Sequence, residues 1–236
     1  MKAVGPKNFL IAVTAAVALV GSSFTTASGS APAKFQARID NPYFPLHPHT
    51  TYTYRGAKDG KPSLDRVAVT GRIVVIAGAR CRAVKDELFI AGRLRETTID
   101  WYSQDQRGNV WYYGENTKEL DRRGHVVSTE GTWKAGVDGA RPGIFMPQRP
   151  KVGQSFQQEY YPGHAEDHFQ ILSVKSPVQV PYGSFKRALE TKEWTPLEPD
   201  VLDHKYYVRG IGLVRELTLK GPREASKLVS VARPGA

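Results

Sequence analysis

Apolar and polar residues alternate with a period of two along much of residues 50–232, which is the pattern of strands with one covered face. The runs 50–55, 65–76, 80–90 and 93–103 read as strands, parted by turns at 56–62, 77–78 and 91–92. Further strand signals lie at 117–120, 125–134, 155–161, 170–180, 184–195, 204–209, 212–219 and 227–232. Turns at roughly ten-residue spacing argue for an antiparallel meander. Residues 135–152, AGVDGARPGIFMPQRPKV, are too rich in glycine and proline for a strand or helix, and read as a long loop crossing between halves of the sheet. Only 163–169 suggests a helical turn. The expected fold class is all-β: a strongly curved antiparallel sheet, closed or nearly closed into a barrel, with long Gly/Pro loops. Closure would hide edges that a sheet of this many strands otherwise exposes.

The stretch 99–116, IDWYSQDQRGNVWYYGEN, predicts a hairpin of two aromatic strands around a turn at 105–108. Its charges stand out, because Asp100 and Glu115 interrupt strands that otherwise suit burial. Pairing Gln104 with Asn109 would put Glu96, Thr98, Asp100, Tyr102, Trp111, Tyr113 and Glu115 on one face. Asp100 and Glu115 would then be diagonal neighbours, roughly 7–8 Å apart at Cα. Two such carboxylates suit acid–base work on a glycosidic bond or the binding of a hard cation. The plain alternative is a solvent-facing side of the sheet, with the acids paired to Arg93, Arg95 or Lys118. Asp105 and Gly108 resemble a fragment of a calcium loop, without the full ligand spacing.

Composition narrows the setting. Lys2 and Lys7 precede an apolar run at 9–20, FLIAVTAAVALV, and small and polar residues follow, the layout of a secretory signal peptide over 1–33. Residues 34–49, with three prolines, read as an extended lead-in, and 50–236 as a single antiparallel β domain. Loss of 1–33 removes two lysines and no acid from a net charge of +10, leaving +8. That favours anionic envelope components as partners. The basic residues are scattered, so nucleic acid is not expected, nor is a membrane span once the leader is gone. The one cysteine, Cys81, permits no internal disulfide, which suits bacterial export, and it reads as a small buried residue.

Charge recurs in other strands. In 184–195, Lys186, Ala188, Glu190, Lys192 and Trp194 share one face, and Phe185, Arg187, Leu189, Thr191 and Glu193 share the other. In 204–209, His204 and Tyr206 face one way, Lys205 and Tyr207 the other. Charged central strands suit a wet interior better than a dry core. The candidate ligand-binding set is therefore Asp100, Tyr113, Glu115, Glu190 and His204. A metal cation is the one cofactor this set suggests. His164 and His168, spaced i, i+4, are weak metal candidates if 163–169 is helical, but alanine at 165 breaks the HExxH pattern. No nucleophile elbow, phosphate loop, dinucleotide fingerprint or paired CxxC motif is present.

Several segments resemble those of a family of secreted bacterial proteins: NPYFPL (41–46), DWYSQDQRGNVWYYGE (100–115), VSTEGTW (127–133), GVDGARPGIFMP (136–147), EYYPGHAED (159–167), VPYGSF (180–185), KEWTPLEP (192–199) and HKYY (204–207). The resemblance spans nearly all of residues 34–236. It implies an exported, single-domain bacterial protein and brings no activity with it. The first functional expectation is a periplasmic or cell-envelope binding protein holding a small polar ligand or cation in a barrel cavity. The competing expectations are a glycan hydrolase using Asp100 and Glu115, and a structural envelope protein without a site.

Overall fold

The structure, a computed structural model, describes residues 35–235. The expected signal peptide lies outside the described residues. Among the described residues fifteen strands form one antiparallel sheet: β1 (Thr51–Lys58), β2 (Lys61–Ile76), β3 (Ala79–Ile90), β4 (Arg93–Gln104), β5 (Val110–Leu120), β6 (Val126–Ser128), β7 (Trp133–Lys134), β8 (Arg141–Met146), β9 (Ser155–Gln157), β10 (Glu159–Tyr160), β11 (His168–Val180), β12 (Gly183–Trp194), β13 (Leu202–Val208), β14 (Gly212–Lys220) and β15 (Glu224–Ala232). Their order is β10-β8-β5-β4-β3-β2-β1-β15-β14-β13-β12-β11-β9, with β6 and β7 hung on β5. The end strands β9 and β10 are parted in sequence only by Gln158, so one stretch of chain occupies both edges. The sheet is thereby nearly closed into a barrel, as the alternation pattern leads one to expect. Among the described residues no helix is long and apolar enough to cross a membrane.

Three local expectations need correction. The supposed loop 135–152 contains β8, which pairs with β5 through Met146–Val110, Ile144–Trp111 and Gly143–Tyr112, and with β10 through Pro142–Glu159. Gly143 is there for close approach: a Cβ on it would lie 2.3 Å from the Gln157 carbonyl oxygen. Glycine in this stretch marks a tight crossing of backbones rather than a loop. The run 125–134 is broken into β6 and β7 by an intervening turn. Residues 163–169 form no helix, since the chain turns between bridged Tyr161 and Ala165 and enters β11 at His168.

The lead-in segment lies across the barrel and closes one side of its interior. Gln36 exchanges both backbone hydrogen bonds with Gln104, at 2.9 Å each. Asn41, fully buried, accepts from the Tyr43 and Phe44 amides and donates to the Gly108 carbonyl at 2.9 Å. The Arg82 guanidinium ties the Ala37 carbonyl to those of Thr70 and Gly71. Ile39 and Leu46 are buried, worth about 1.5–3 kcal/mol each. Phe44 then meets Tyr102 and Phe145 at 5.1 and 4.6 Å between ring centroids, and Tyr102 stacks on Tyr112 at 4.9 Å. Cys81 is fully buried and burial pushes its thiol up to about 12, so it acts as a small apolar filler.

Candidate functional site

The β4–β5 hairpin sets the geometry of the interior. Its loop is anchored by Asp105, whose Oδ1 accepts the Arg107 and Asn109 amides, while Oδ2 accepts Asn109 Nδ2 and Trp111 Nε1. Both oxygens are engaged by donors of the same loop and strand. This is turn chemistry, which explains the likeness to part of a calcium loop. Gln104 pairs with Val110, not Asn109, so Tyr102 faces Tyr112. Two residues further along β4, Asp100 faces Glu115, three residues further along β5. The extra residue is a bulge at Gly114, with φ +122°, where a Cβ would sit 2.3 Å from the Trp133 carbonyl oxygen. The bulge turns Glu115 back to the side of Tyr112 and Asp100. It leaves Tyr113 on the other side, buried edge-on against Phe35 at 5.6 Å. Tyr113 is therefore not part of the carboxylate face, contrary to the expected pairing of Gln104 with Asn109.

Asp100 and Glu115 line a cavity of about 310 Å³ inside the barrel. One wall is aromatic: Phe44, Tyr52, Tyr54, Tyr102, Tyr112 and Phe145. Leu46, Val67, Val84, Ile211 and Leu213 add aliphatic surface, and most of the polar lining is acidic. Asp65, Asp86, Asp100, Glu115, Glu159, Asp167, Glu193 and Glu216 line it, and Lys205 is the one basic side chain among them. Asp65 and Asp86 come from β2 and β3, Glu159 from the closing strand β10, and Glu193, Lys205 and Glu216 from β12, β13 and β14. Asp167 is exposed and stands at the rim.

So many carboxyls in one small space cannot all ionise. Burial raises Asp100 to about 7 against a hydrogen bond of 2.6 Å from the Tyr112 hydroxyl, with negative Asp65 and Glu96 adding to the rise. Burial, then the charge of Asp100, raises Glu115 to about 8, opposed by the Thr117 hydroxyl at 3.0 Å. Burial also raises Asp65 and Asp86, which hydrogen-bond to each other as a carboxyl–carboxylate pair. Glu159 is pushed well up by burial and by Asp167 and Glu115, although Trp133 Nε1 donates to it at 3.2 Å. Burial works against the Lys205 ammonium too, but Glu193 at 2.8 Å and Glu216 at 3.5 Å outweigh it and hold the charge. Burial and mutual repulsion thus raise Asp65, Asp86, Asp100, Glu115 and Glu159 together, and the one ammonium in the cavity is held by Glu193 and Glu216.

Glu190 and His204 lie on the opposite face. Side chains alternate along a strand, so with Glu193 and Lys205 turned inward, Glu190 and Tyr206 turn outward. There Glu190 accepts Ser176 Oγ at 2.5 Å and the Tyr206 hydroxyl at 2.9 Å, with His204 Nδ1 also at 2.9 Å. Burial alone would raise Glu190, but these three partners hold it below the ordinary glutamate value. The carboxylate is the hub of the cluster, so the order Ser–His–acid of a nucleophilic triad is not formed. The expected five-residue site is divided: two members line the cavity, Tyr113 packs outside it, and Glu190 and His204 stabilise the outer face.

The weak histidine pair is likewise separated from any shared helical face. His164 stacks on Tyr161 at 4.3 Å, and His168 stacks on Trp194 at 5.6 Å. Among the described residues no group of three or more His, Cys, Asp or Glu is arranged to hold a metal ion. Sequence reasoning missed Asp65, Asp86, Glu159, Asp167, Glu193, Lys205 and Glu216. For Glu193 and Lys205 the two faces were correctly grouped, and the signal available was that Thr191 and Leu189 share the face of Glu193.

No family model matches the chain, and no curated protein matches it. Two solved structures are similar in shape. One, a protein of Bacteroides fragilis inferred to be exported and with a YmcC-like fold, is 13% identical at a TM-score of 0.47, over 81% of this chain and 99% of that one. The other, a protein of Parabacteroides distasonis inferred to be a lipoprotein, is 10% identical at a TM-score of 0.43, over 80% of this chain and 98% of that one.

Proposed function

We propose that this is an exported binding protein of the periplasm or cell envelope whose barrel cavity takes a small organic cation, an amine or guanidinium with an apolar part. The observation that carries the reading is the lining: eight carboxyls and one ammonium beside an aromatic wall, around some 310 Å³. A cavity of that size suits a small molecule. Aromatic faces and carboxylates together favour a cation, by ring quadrupole and by direct charge. The aromatic wall offers packing surface that the apolar part of an organic cation can use and a bare metal ion cannot. Export rests on the lysines and apolar run of the first twenty residues.

A glycan hydrolase fits less well. Such an enzyme needs one carboxyl protonated and its partner ionised, which requires environments that separate the two. Here burial raises Asp100 and Glu115 together, to about 7 and about 8. The reading is tested by thermal shift with benzamidine and agmatine as probes. Stabilisation is expected in the wild type and in Glu190→Gln, and its loss in the double variant Asp100→Asn/Glu115→Gln. No shift in the wild type with either probe would sink the proposal.

A further inference from the structure

In an antiparallel meander alternate turns fall at the same end of the sheet. Here the β1–β2, β3–β4 and β5–β6 turns share one end. Their flanks bring Lys61, Arg93, Arg95 and Arg122 around an open cleft of about 370 Å³, with Ile90 and Ala91 as the other lining residues. The cleft has no acidic lining residue. Among the described residues none of the four cations makes an ion pair, and their one side-chain hydrogen bond is from Arg93 Nη1 to the Arg122 carbonyl oxygen at 3.5 Å. Two carboxylates at this end are engaged: Glu224 with Lys58 at 3.0 Å, and Asp121 with the Arg123 and His125 amides at 2.7 and 2.9 Å. Asp59 and Glu119 also belong to this end and form no part of the cleft lining.

We infer that this cleft is a second binding site, for a phosphate group, independent of the acidic cavity. Like charges that converge without a counter-ion repel one another, and an anion seated between them turns that repulsion into attraction. Three guanidinium groups and an ammonium match phosphate better than a carboxylate, because each guanidinium can donate two parallel hydrogen bonds to its oxygens. The phosphate has two natural sources, an anionic lipid headgroup at the envelope surface or a soluble phosphate ester.

Two assays on the full chain separate them. Sedimentation with phosphatidylglycerol vesicles, against phosphatidylcholine vesicles, reads the lipid arm. Titration calorimetry with glycerol phosphate reads the soluble arm. Saturable, salt-sensitive binding is expected in at least one arm, weakened tenfold or more in Arg93→Gln/Arg122→Gln at an unchanged melting temperature. Lys61→Gln, which disturbs no hydrogen bond, should weaken it in the same direction. Lys186→Gln/Arg187→Gln, an equal loss of charge at exposed positions elsewhere, should leave it unchanged. Vesicle binding alone would assign the site to lipid, and glycerol phosphate binding alone to soluble esters. Binding in neither arm, or equal loss in the Lys186/Arg187 control, would overturn the proposal.

Discussion

Glu115 and Glu190 are both glutamates within long strands of one sheet, yet they end in opposite electrostatic states. Glu190, on the outer face, is served by Ser176, Tyr206 and His204 and is held below its ordinary value. Glu115, on the inner face, has the Thr117 hydroxyl as its hydrogen-bond partner, with Asp100 directly opposite, and is raised to about 8. The difference is one of supply. A carboxylate given three donors is complete and serves the fold. A carboxyl given one donor and an acidic neighbour stays protonated until a positive charge arrives. Buried polar groups that the protein itself leaves short of partners are those that a ligand can complete.

The contrast can be broken most forcefully at Lys205. Lys205→Met leaves the acidic cavity without its ammonium and Glu193 without its ion pair. We expect a loss of about 3–5 kcal/mol in urea unfolding near neutral pH, shrinking in acid as the carboxyls protonate. Gly114→Ala comes next. The strained φ and the clash with the Trp133 carbonyl should cost about 3 kcal/mol and weaken benzamidine binding, because the bulge is what aims Glu115 inward.

The third variant should have the opposite sign. Asp100 and Glu115 titrate higher in the folded protein than the roughly 4 of an unfolded chain. Between about pH 4 and 8 the unfolded state therefore holds fewer protons, and stability falls as pH rises through that window before levelling. Asp100→Asn/Glu115→Gln removes this penalty. It should be more stable than wild type near pH 8 and nearly equal to it near pH 4, in paired denaturation curves. Glu190→Gln should be the mildest, costing about 1 kcal/mol near pH 7. Its carboxyl is lowered in the fold, so the stability it contributes is present above the unfolded value and lost as pH falls through the folded one. The deficit should then vanish in acid, and benzamidine binding should not change.

Much of the fold was legible in the alternation, because a half-covered sheet forces a period of two on its sequence. The turns at Ala77 and Gly78 and at Ala91 and Gly92 fall where expected, with all four residues in the left-handed region. β8 was hidden because Gly143 and Pro142 serve a tight crossing, and composition alone cannot separate that from a loop. The site was harder to read. Pairing Gln104 with Asn109 puts Tyr113 on the face of Asp100, but the pairing with Val110 moves it off, and only the bulge at Gly114 keeps Glu115 on. In β12 and β13 the two faces were readable, but not which one faced inward: Glu190 with His204 looks as much like a site as Glu193 with Lys205. Only closure of the barrel decides it, by bringing Asp65, Asp86 and Glu159 from distant strands to the side of Glu193.

The central claim is that the cavity wants positive charge, and one pair of probes isolates charge from shape. Benzamidine and benzamide have nearly the same outline, but only the first is a cation. Titration calorimetry of the wild type should show benzamidine binding at least tenfold more tightly than benzamide. Its affinity should rise from about pH 6 to about pH 8, with protons released as Asp100 and Glu115 ionise around it. Equal affinity for the two probes, or no binding of benzamidine at either pH, would contradict the account.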